Sequence, residues 1–316
     1  MPVSPTILKP KPLALGDTIA VVSPAKPSPP ETLVQGVAWL QSVGYQAKLM
    51  PNAQCNTGYL AGTDSERLAD LVAAFEDPTV DAILCARGGY GSGRLLPQFP
   101  FEVVAKNPKL FMGFSDITML LNAFHQQTGL VGFYSPMLTS NLIQENQDFT
   151  REQWLRTVTA AGLLSQQPFE IANIDTYQCF TPGIATGKLI GGNLSLLCSL
   201  CGTPWQPNTD GCILFLEDWH EQYYTLDRQF TQLAQAGLFN NLAGLLLCDF
   251  SEITQEPNTH SVAEQLRYLT AGLKVPTGYG FSVGHGYQTA TLPIGVQAVL
   301  NAEVGCLTLA EQPVLL

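Results

Sequence analysis

Up to about residue 160, short apolar runs alternate with longer amphipathic stretches, the pattern of strands and crossover helices in a parallel sheet. Residues 18–23 (TIAVVS) form a β-branched run stopped by Pro24, and 30–42 read as a helix closed by Gly44. The next strand is predicted at 46–50. Asp64 is placed to cap a helix with Arg67 and Leu68 in its first turns and Leu71, Val72 and Phe75 on its apolar face, followed by a buried strand at 81–86 (DAILCA). Beyond a glycine-rich loop, 109–112 is a short apolar run, 113–115 a turn, 116–125 a helix, and 130–134 a further strand. The series predicts a doubly wound α/β unit.

From 165 to 182 the periodicity fades into polar and turn-forming residues, as in an interdomain linker. Beyond it, strands at 212–216 and 242–248 mix with helices at 223–236 and 262–271, and the Gly- and Pro-rich end predicts turns and short strands. The expected organisation is an N-terminal parallel-sheet domain over 1–164, a linker over 165–182, and a smaller mixed-sheet α/β domain over 183–316. A chain of 316 residues exceeds what one core usually organises, which agrees with two domains.

Charge narrows the partners. With 15 Lys plus Arg against 26 Asp plus Glu, the formal net charge is -11, which argues against a ligand held through a phosphate backbone, so no nucleic acid is expected. The proline-broken N-terminus lacks the apolar run of a signal peptide, and no stretch reaches about eighteen apolar residues, so a soluble, unexported protein without a membrane partner is expected. The 8 cysteines lack the regular spacing of a small secreted scaffold and read as reduced, mostly buried thiols. Cys198 and Cys201 make a lone CxxC inside an apolar helical run, with no second pair at zinc-ribbon spacing, and the 4 histidines make no HExxH. No metal or cofactor is expected.

Ligands of open α/β sheets collect beyond the carboxyl ends of the strands, which directs attention to the turns after Ala86 and Met112. The first is Arg87-Gly88-Gly89-Tyr90-Gly91-Ser92-Gly93-Arg94, whose glycines let backbone N–H groups approach an anion; it is neither a Walker loop nor GxGxxG in register. The second, Gly113-Phe114-Ser115-Asp116, resembles a nucleophile elbow but has Ile at 117 where GxSxG has glycine, and Ser115 would equally serve as a helix cap. A serine nucleophile needs a base and a group to orient it. His285, between Gly284 and Gly286, is the histidine best placed to project from a tight loop; His125, His220 and His260 suit exposed or capping roles. For the orienting acid, Glu217 follows the apolar run 212–216, and Asp218 is its rival.

Six motifs in order, RGGYG at 87–91, GFSDIT at 113–118, GGNL at 191–194, LED at 216–218, DR at 227–228, and GHG at 284–286 with LPIG at 292–295, resemble the LD-carboxypeptidases, or muramoyltetrapeptide carboxypeptidases, over nearly the whole chain. The resemblance implies a triad of Ser115, His285 and Glu217, with an oxyanion hole from the backbone N–H groups of Gly88 and Asp116. It further implies a cytoplasmic, metal-free homodimer that cuts between the L-centre of meso-diaminopimelate and a terminal D-alanine in murein tetrapeptides. A carboxypeptidase must also recognise a terminal carboxylate, for which Arg87 is the candidate, a structural ion pair being its other reading. Two alternatives stand beside this one: a microcin-immunity-type serine peptidase cleaving peptidyl-nucleotide conjugates, and a nucleotide-binding or redox α/β protein using the glycine loop and the CxxC.

Overall fold

The buried apolar runs form two sheets in a computed structural model that describes residues 5–163, 176–254 and 260–315. In chain order the strands are β1 (Thr18–Val22), β2 (Gln46–Leu49), β3 (Ala82–Cys85), β4 (Leu110–Gly113), β5 (Phe133–Tyr134), β6 (Gln178–Thr181), β7 (Ile184–Asn193), β8 (Cys212–Trp219), β9 (Gly244–Ser251), β10 (Thr277–Tyr279), β11 (Leu292–Pro293), β12 (Gln297–Asn301) and β13 (Cys306–Leu309). The helices are α1 (Pro30–Ser42), α2 (Asp64–Glu76), α3 (Phe101–Lys106), α4 (Thr118–Thr128), α5 (Asp148–Val158), α6 (Ala160–Leu163), α7 (Leu194–Leu200), α8 (Tyr223–Gln235) and α9 (Val262–Thr270). Two compact units result, one drawing its described residues from 1–166, 290–295 and 312–316, the other from 167–289 and 296–311.

The first unit holds a six-stranded sheet in the order β11-β5-β4-β3-β1-β2, parallel throughout except where β11 runs antiparallel to β5. Its inner strands β1, β3 and β4 are apolar on both faces because helices cover both, whereas the edge strand β2 exposes Gln46 and Lys48. Successive residues of β4 divide between them: Phe111 packs with Phe75 and Phe124, while Met112 accepts the Trp154 indole N–H at 3.3 Å. Strand order reverses between β1 and β3, so the loops leaving these two strands diverge and open a crevice at their carboxyl ends. The fold class is the doubly wound α/β arrangement that the alternation predicts.

Several local expectations change. Helix α2 is capped by Thr63 and not by Asp64, because a reciprocal box forms: the Glu66 N–H donates to the Thr63 hydroxyl at 3.2 Å and the Thr63 N–H to the Glu66 carboxylate at 2.8 Å. Residues 165–175 of the expected linker lie outside the described residues, and its later part forms the edge strand β6. Residues 290–295, expected in the second domain, return to the first unit, where β11 pairs with β5.

In the second unit a seven-stranded mixed sheet runs β13-β12-β7-β8-β9-β10-β6, with β7 to β10 parallel and the outer pairs antiparallel. Leu214, Leu216, Leu245 and Leu247 share a core with Leu197, Leu226, Phe230 and Leu266 of α7, α8 and α9. Alternation would continue this face from Leu247 to Asp249. A register shift intervenes: Leu216 pairs with Leu247 and Asp218 with Phe250, so β9 carries one extra residue and Phe250 takes the core position. The acid at 249 is thereby turned away from the leucines.

Among the described residues no helix is long and apolar enough to cross a membrane. Phe124 contacts Phe75, Phe99, Phe101 and Phe111 with ring centroids 5.6, 4.8, 6.2 and 5.0 Å away. Phe124→Ala is expected to remove about 3–5 kcal/mol from the first unit. Urea unfolding checks this, and a loss under about 1 kcal/mol would mean that the cluster is not the unit's core.

Candidate active site

In the first unit the loop after β4 carries Ser115 and the loop after β3 carries Arg87 and Gly88. Ser115 opens a single 3-10 turn, Ser115–Ile117, that leads into α4, and its φ is +60°. A non-glycine residue held there costs roughly 1–3 kcal/mol and persists only where its surroundings fix it. Two contacts do so. The Ser115 N–H donates to the Tyr134 hydroxyl at 3.3 Å. The Gly88 backbone also lies close: a Cβ added there would stand 3.0 Å from Ser115 Cβ and 3.3 Å from Oγ. The N-cap of α4 is Ile117, with no side-chain cap bond, so Ser115 does not cap that helix.

Arg67 locks the glycine loop from beneath. Its side chain is fully buried, its guanidinium donates to the carbonyls of Pro24 and Gly91, the latter at 2.8 Å, and it pairs with Asp64. The loops after β1 and β3 therefore share one buried cation, helped by the Lys26 N–H donating to the Gly88 carbonyl at 3.3 Å. Asp116, nearly fully buried, accepts the Ser92 N–H at 2.8 Å, and its carbonyl accepts the Ser92 hydroxyl at 2.6 Å. Burial pushes its carboxyl above the usual range, against the Ser92 and Gly91 hydrogen bonds and the charge of Arg67. Arg87 is half-buried; it donates to the Pro27 carbonyl at 3.4 Å and has no acidic ion-pair partner among the described residues.

In the second unit β8 runs two residues beyond Glu217, so this acid sits inside the strand. The pleat separates the two neighbouring acids. Glu217, fully buried, meets the His285 Nδ1 at 2.7 Å through Oε2, while its Oε1 accepts from the Asn193 amide at 3.0 Å. Asp218 points to the start of α7, accepting the Ser195 N–H at 3.1 Å and hydroxyl at 2.8 Å. The structure thus joins Glu217, not its rival, to the histidine. A carboxylate opposite Nδ1 accepts a hydrogen bond from the Nδ1–H, which fixes that tautomer and makes Nε2 the basic nitrogen.

Burial by itself would lower the His285 pKa. The charge and hydrogen bond of Glu217, with Asp218 and Asp249 nearby, outweigh it and raise the value above the usual 6.5. Burial and the Glu217 charge push both Asp218 and Asp249 up to about 6. The Trp219 indole stacks on the imidazole, centroids 5.5 Å apart and planes 11° from parallel. Of the other histidines, His125 uses Nδ1 against the Leu130 carbonyl at 3.1 Å, and His220 lies exposed, 3.6 Å from Glu252.

Arg67, Asn193, Trp219 and Asp249 were not singled out as site residues by the sequence reading. Arg67 had a signal, since it lies four and eight positions before Leu71 and Phe75 on an apolar stripe where an arginine must find buried acceptors. Cys198 and Cys201 are free thiols; burial raises both, Cys198 to about 12, so neither is a reactive thiolate. Among the described residues no group of three or more His, Cys, Asp or Glu side chains is placed to hold a metal ion.

Residues 19–135 match the family model of the LD-carboxypeptidase N-terminal domain, and 186–300 match that of the C-terminal domain. The chain belongs to the LD-carboxypeptidase family. It is a serine-type carboxypeptidase, hence a hydrolase. A probable murein peptide carboxypeptidase of Bacillus subtilis is 38% identical over 93% of this chain and 91% of its own length. The crystal structure of the muramoyltetrapeptide carboxypeptidase from Oxalobacter formigenes superposes with a TM-score of 0.78 at 30% identity, covering 92% of this chain and 97% of that one. A structure of MccF in complex with glutamyl sulfamoyl guanosine gives a TM-score of 0.88 at 25% identity, covering 98% and 100%. The two family matches span the serine turn and the glutamate–histidine pair respectively.

Gly88→Ala tests the close approach in this LD-carboxypeptidase family member. The new methyl would force Ser115 or Met137, 3.3 Å away, to shift. Labelling of Ser115 by a serine-directed reagent, followed by mass, is expected to slow by roughly 10-fold or more, in line with the rate cost of a small misplacement, with little change in melting temperature. An unchanged labelling rate would show that the loop and the serine are not coupled.

Proposed function

We propose that the enzyme releases the terminal D-alanine from murein tetrapeptides in cell-wall recycling, with Ser115 as nucleophile, His285 as general base and Glu217 as the group that orients the base. The carrying observation is Ser115 at φ +60°, since backbone strain at the turn between a strand and a helix is what a nucleophile elbow requires. The 2.7 Å Glu217–His285 bond supports the base assignment, and the names of the relatives support the substrate class.

In this reading Ser115 Oγ attacks the carbonyl carbon of the bond before D-alanine while His285 Nε2 takes the hydroxyl proton. The N–H groups of Gly88 and Asp116 receive the oxyanion. Collapse breaks the C–N bond, the D-alanine nitrogen takes the proton from His285, and water attacks the acyl-enzyme by the same route in reverse. Arg87, which has no acidic ion-pair partner among the described residues, binds the terminal carboxylate. The same reading has the enzyme acting in the cytoplasm as a homodimer, as the family resemblance implies. The net charge of -11 supports a peptide ligand over a nucleic acid.

Ser115→Ala is expected to lower D-alanine release from a murein tetrapeptide by at least about 10³-fold. Release of an amino acid from an aminoacyl sulfamoyl nucleoside, without any D-alanine release from the tetrapeptide, would instead favour an MccF-like activity.

The pH profile follows from the charges around His285. The base must be neutral, and its neutral fraction falls as pH drops through its raised pKa, so the acid limb of kcat/KM is expected above 6.5. Glu217→Gln removes the main raising influence and leaves burial opposed only by Asp218 and Asp249. The limb should then move to lower pH while the plateau rate falls; a wild-type limb at or below 6.5 would contradict the arrangement.

A further inference from the structure

Beside His285 the second unit contains a cavity of about 290 Å³ with Asp249 in its lining. Three adjacent parallel strands, β8, β9 and β10, bring Glu217, Asp249 and Tyr279 to their carboxyl ends, where ligands of such sheets bind. The register shift in β9 turns Asp249 away from the leucine core. Its carboxylate instead rests on the backbone of Gly286, where a Cβ would overlap it, and this contact fixes its direction. The remaining wall includes Thr176, Tyr279, Ser282, Tyr287 and Gln288, all neutral polar groups, and among the described residues no Lys or Arg lines the cavity.

This chemistry selects its occupant. A lone anion would meet Asp249 with Glu217 behind it, and an apolar group would bring no polar atoms to a wall that carries a carboxylate, hydroxyls and an amide. A cation on a small side chain compensates the carboxylate, and an adjacent carboxyl group on the same carbon finds donors in the hydroxyls and the Gln288 amide. The volume suits a group the size of one amino acid.

We propose that this cavity is the subsite for the zwitterionic side-chain end of the residue on the amino side of the scissile bond, with Asp249 as the counter-ion of its ammonium group. The assignment rests on the carboxypeptidase reading above. Asp249 then determines specificity, favouring a diamino acid with a free amine over one whose amine is blocked. Its raised carboxyl, near 6, agrees with a group that gains from a bound cation.

The test measures kcat/KM for D-alanine release from a diaminopimelate tetrapeptide and from its side-chain N-acetylated counterpart, with wild-type enzyme and Asp249→Asn. For the wild type, acetylation should cost about 10- to 100-fold, the range of a hydrogen bond to a charged group. Asp249→Asn should lower activity on the free amine to a similar degree and then be indifferent to acetylation. Wild-type activity unaffected by acetylation overturns the subsite. So does an acetylation penalty that persists undiminished in Asp249→Asn, because the acid would then act only through His285. The wild-type comparison decides even if the variant does not fold. Failure of the wild type to release D-alanine from either substrate overturns the carboxypeptidase reading and the subsite with it.

Discussion

A carboxylate buried in the middle of a sheet is tolerated only if both of its oxygens are met by donors, and Glu217 satisfies that condition with one bond from His285 and one from Asn193. Stranding such a charge typically costs about 3–5 kcal/mol, so the pair is as much a structural requirement of β8 as a chemical device. Asn193 is in parallel register with Glu217 at the end of β7, which makes its amide the nearest available donor. The same amide reaches Asp218 at 2.9 Å and holds the two neighbouring acids to separate tasks. One faces the imidazole and the other faces α7.

The first unit meets a comparable demand with the opposite charge. Arg67 has no exposure, and its acceptors are supplied by the turns that must be shaped: the carbonyls of Pro24 and Gly91, with Asp64 beside them. Burying the guanidinium and folding the glycine loop are therefore one event. Gly91 lies three residues from Gly88, which abuts Ser115, so the cation's position bears on the strain that the serine carries. Tyr134 on β5 reaches the Ser115 N–H from a neighbouring strand, and the turn is fixed from two directions.

Much of this was legible in the chain because local chemistry and fold agree. Helix α1 and strands β1 to β4 follow from apolar periodicity punctuated by Pro24 and Gly44, and the glycine loop and serine turn fall where an open sheet exposes them. What escaped was long-range. Thr63 displaces Asp64 as the cap because Glu66, three residues on, completes a reciprocal box with it. The return of residues 290–295 to the first sheet leaves no mark in a segment of two paired residues. The role of Asp249 depends on a bulge, and a one-residue register shift is invisible to any count of alternation. The motif LED by itself presents both Glu217 and Asp218; the family resemblance selects Glu217, and the pleat of β8 supplies the physical reason.

The acids around His285 also bear on when the second unit is strongest. Asp218 and Asp249 have folded pKa values near 6 against an ordinary 3.8, so folding holds their protons longer, and their contribution to stability falls as pH rises from about 4 to 6. His285 is raised as well. Its favourable contribution is complete below 6.5 and is lost as pH climbs through the folded value. All three groups therefore weaken the unit in the same direction, toward the pH at which the imidazole becomes neutral and able to accept a proton. The arrangement that makes His285 a stronger base is one in which like charges are crowded behind it, and that crowding is fully felt only in the working protonation state. Stability and basicity are here set by the same carboxylates, and neither can be tuned without moving the other.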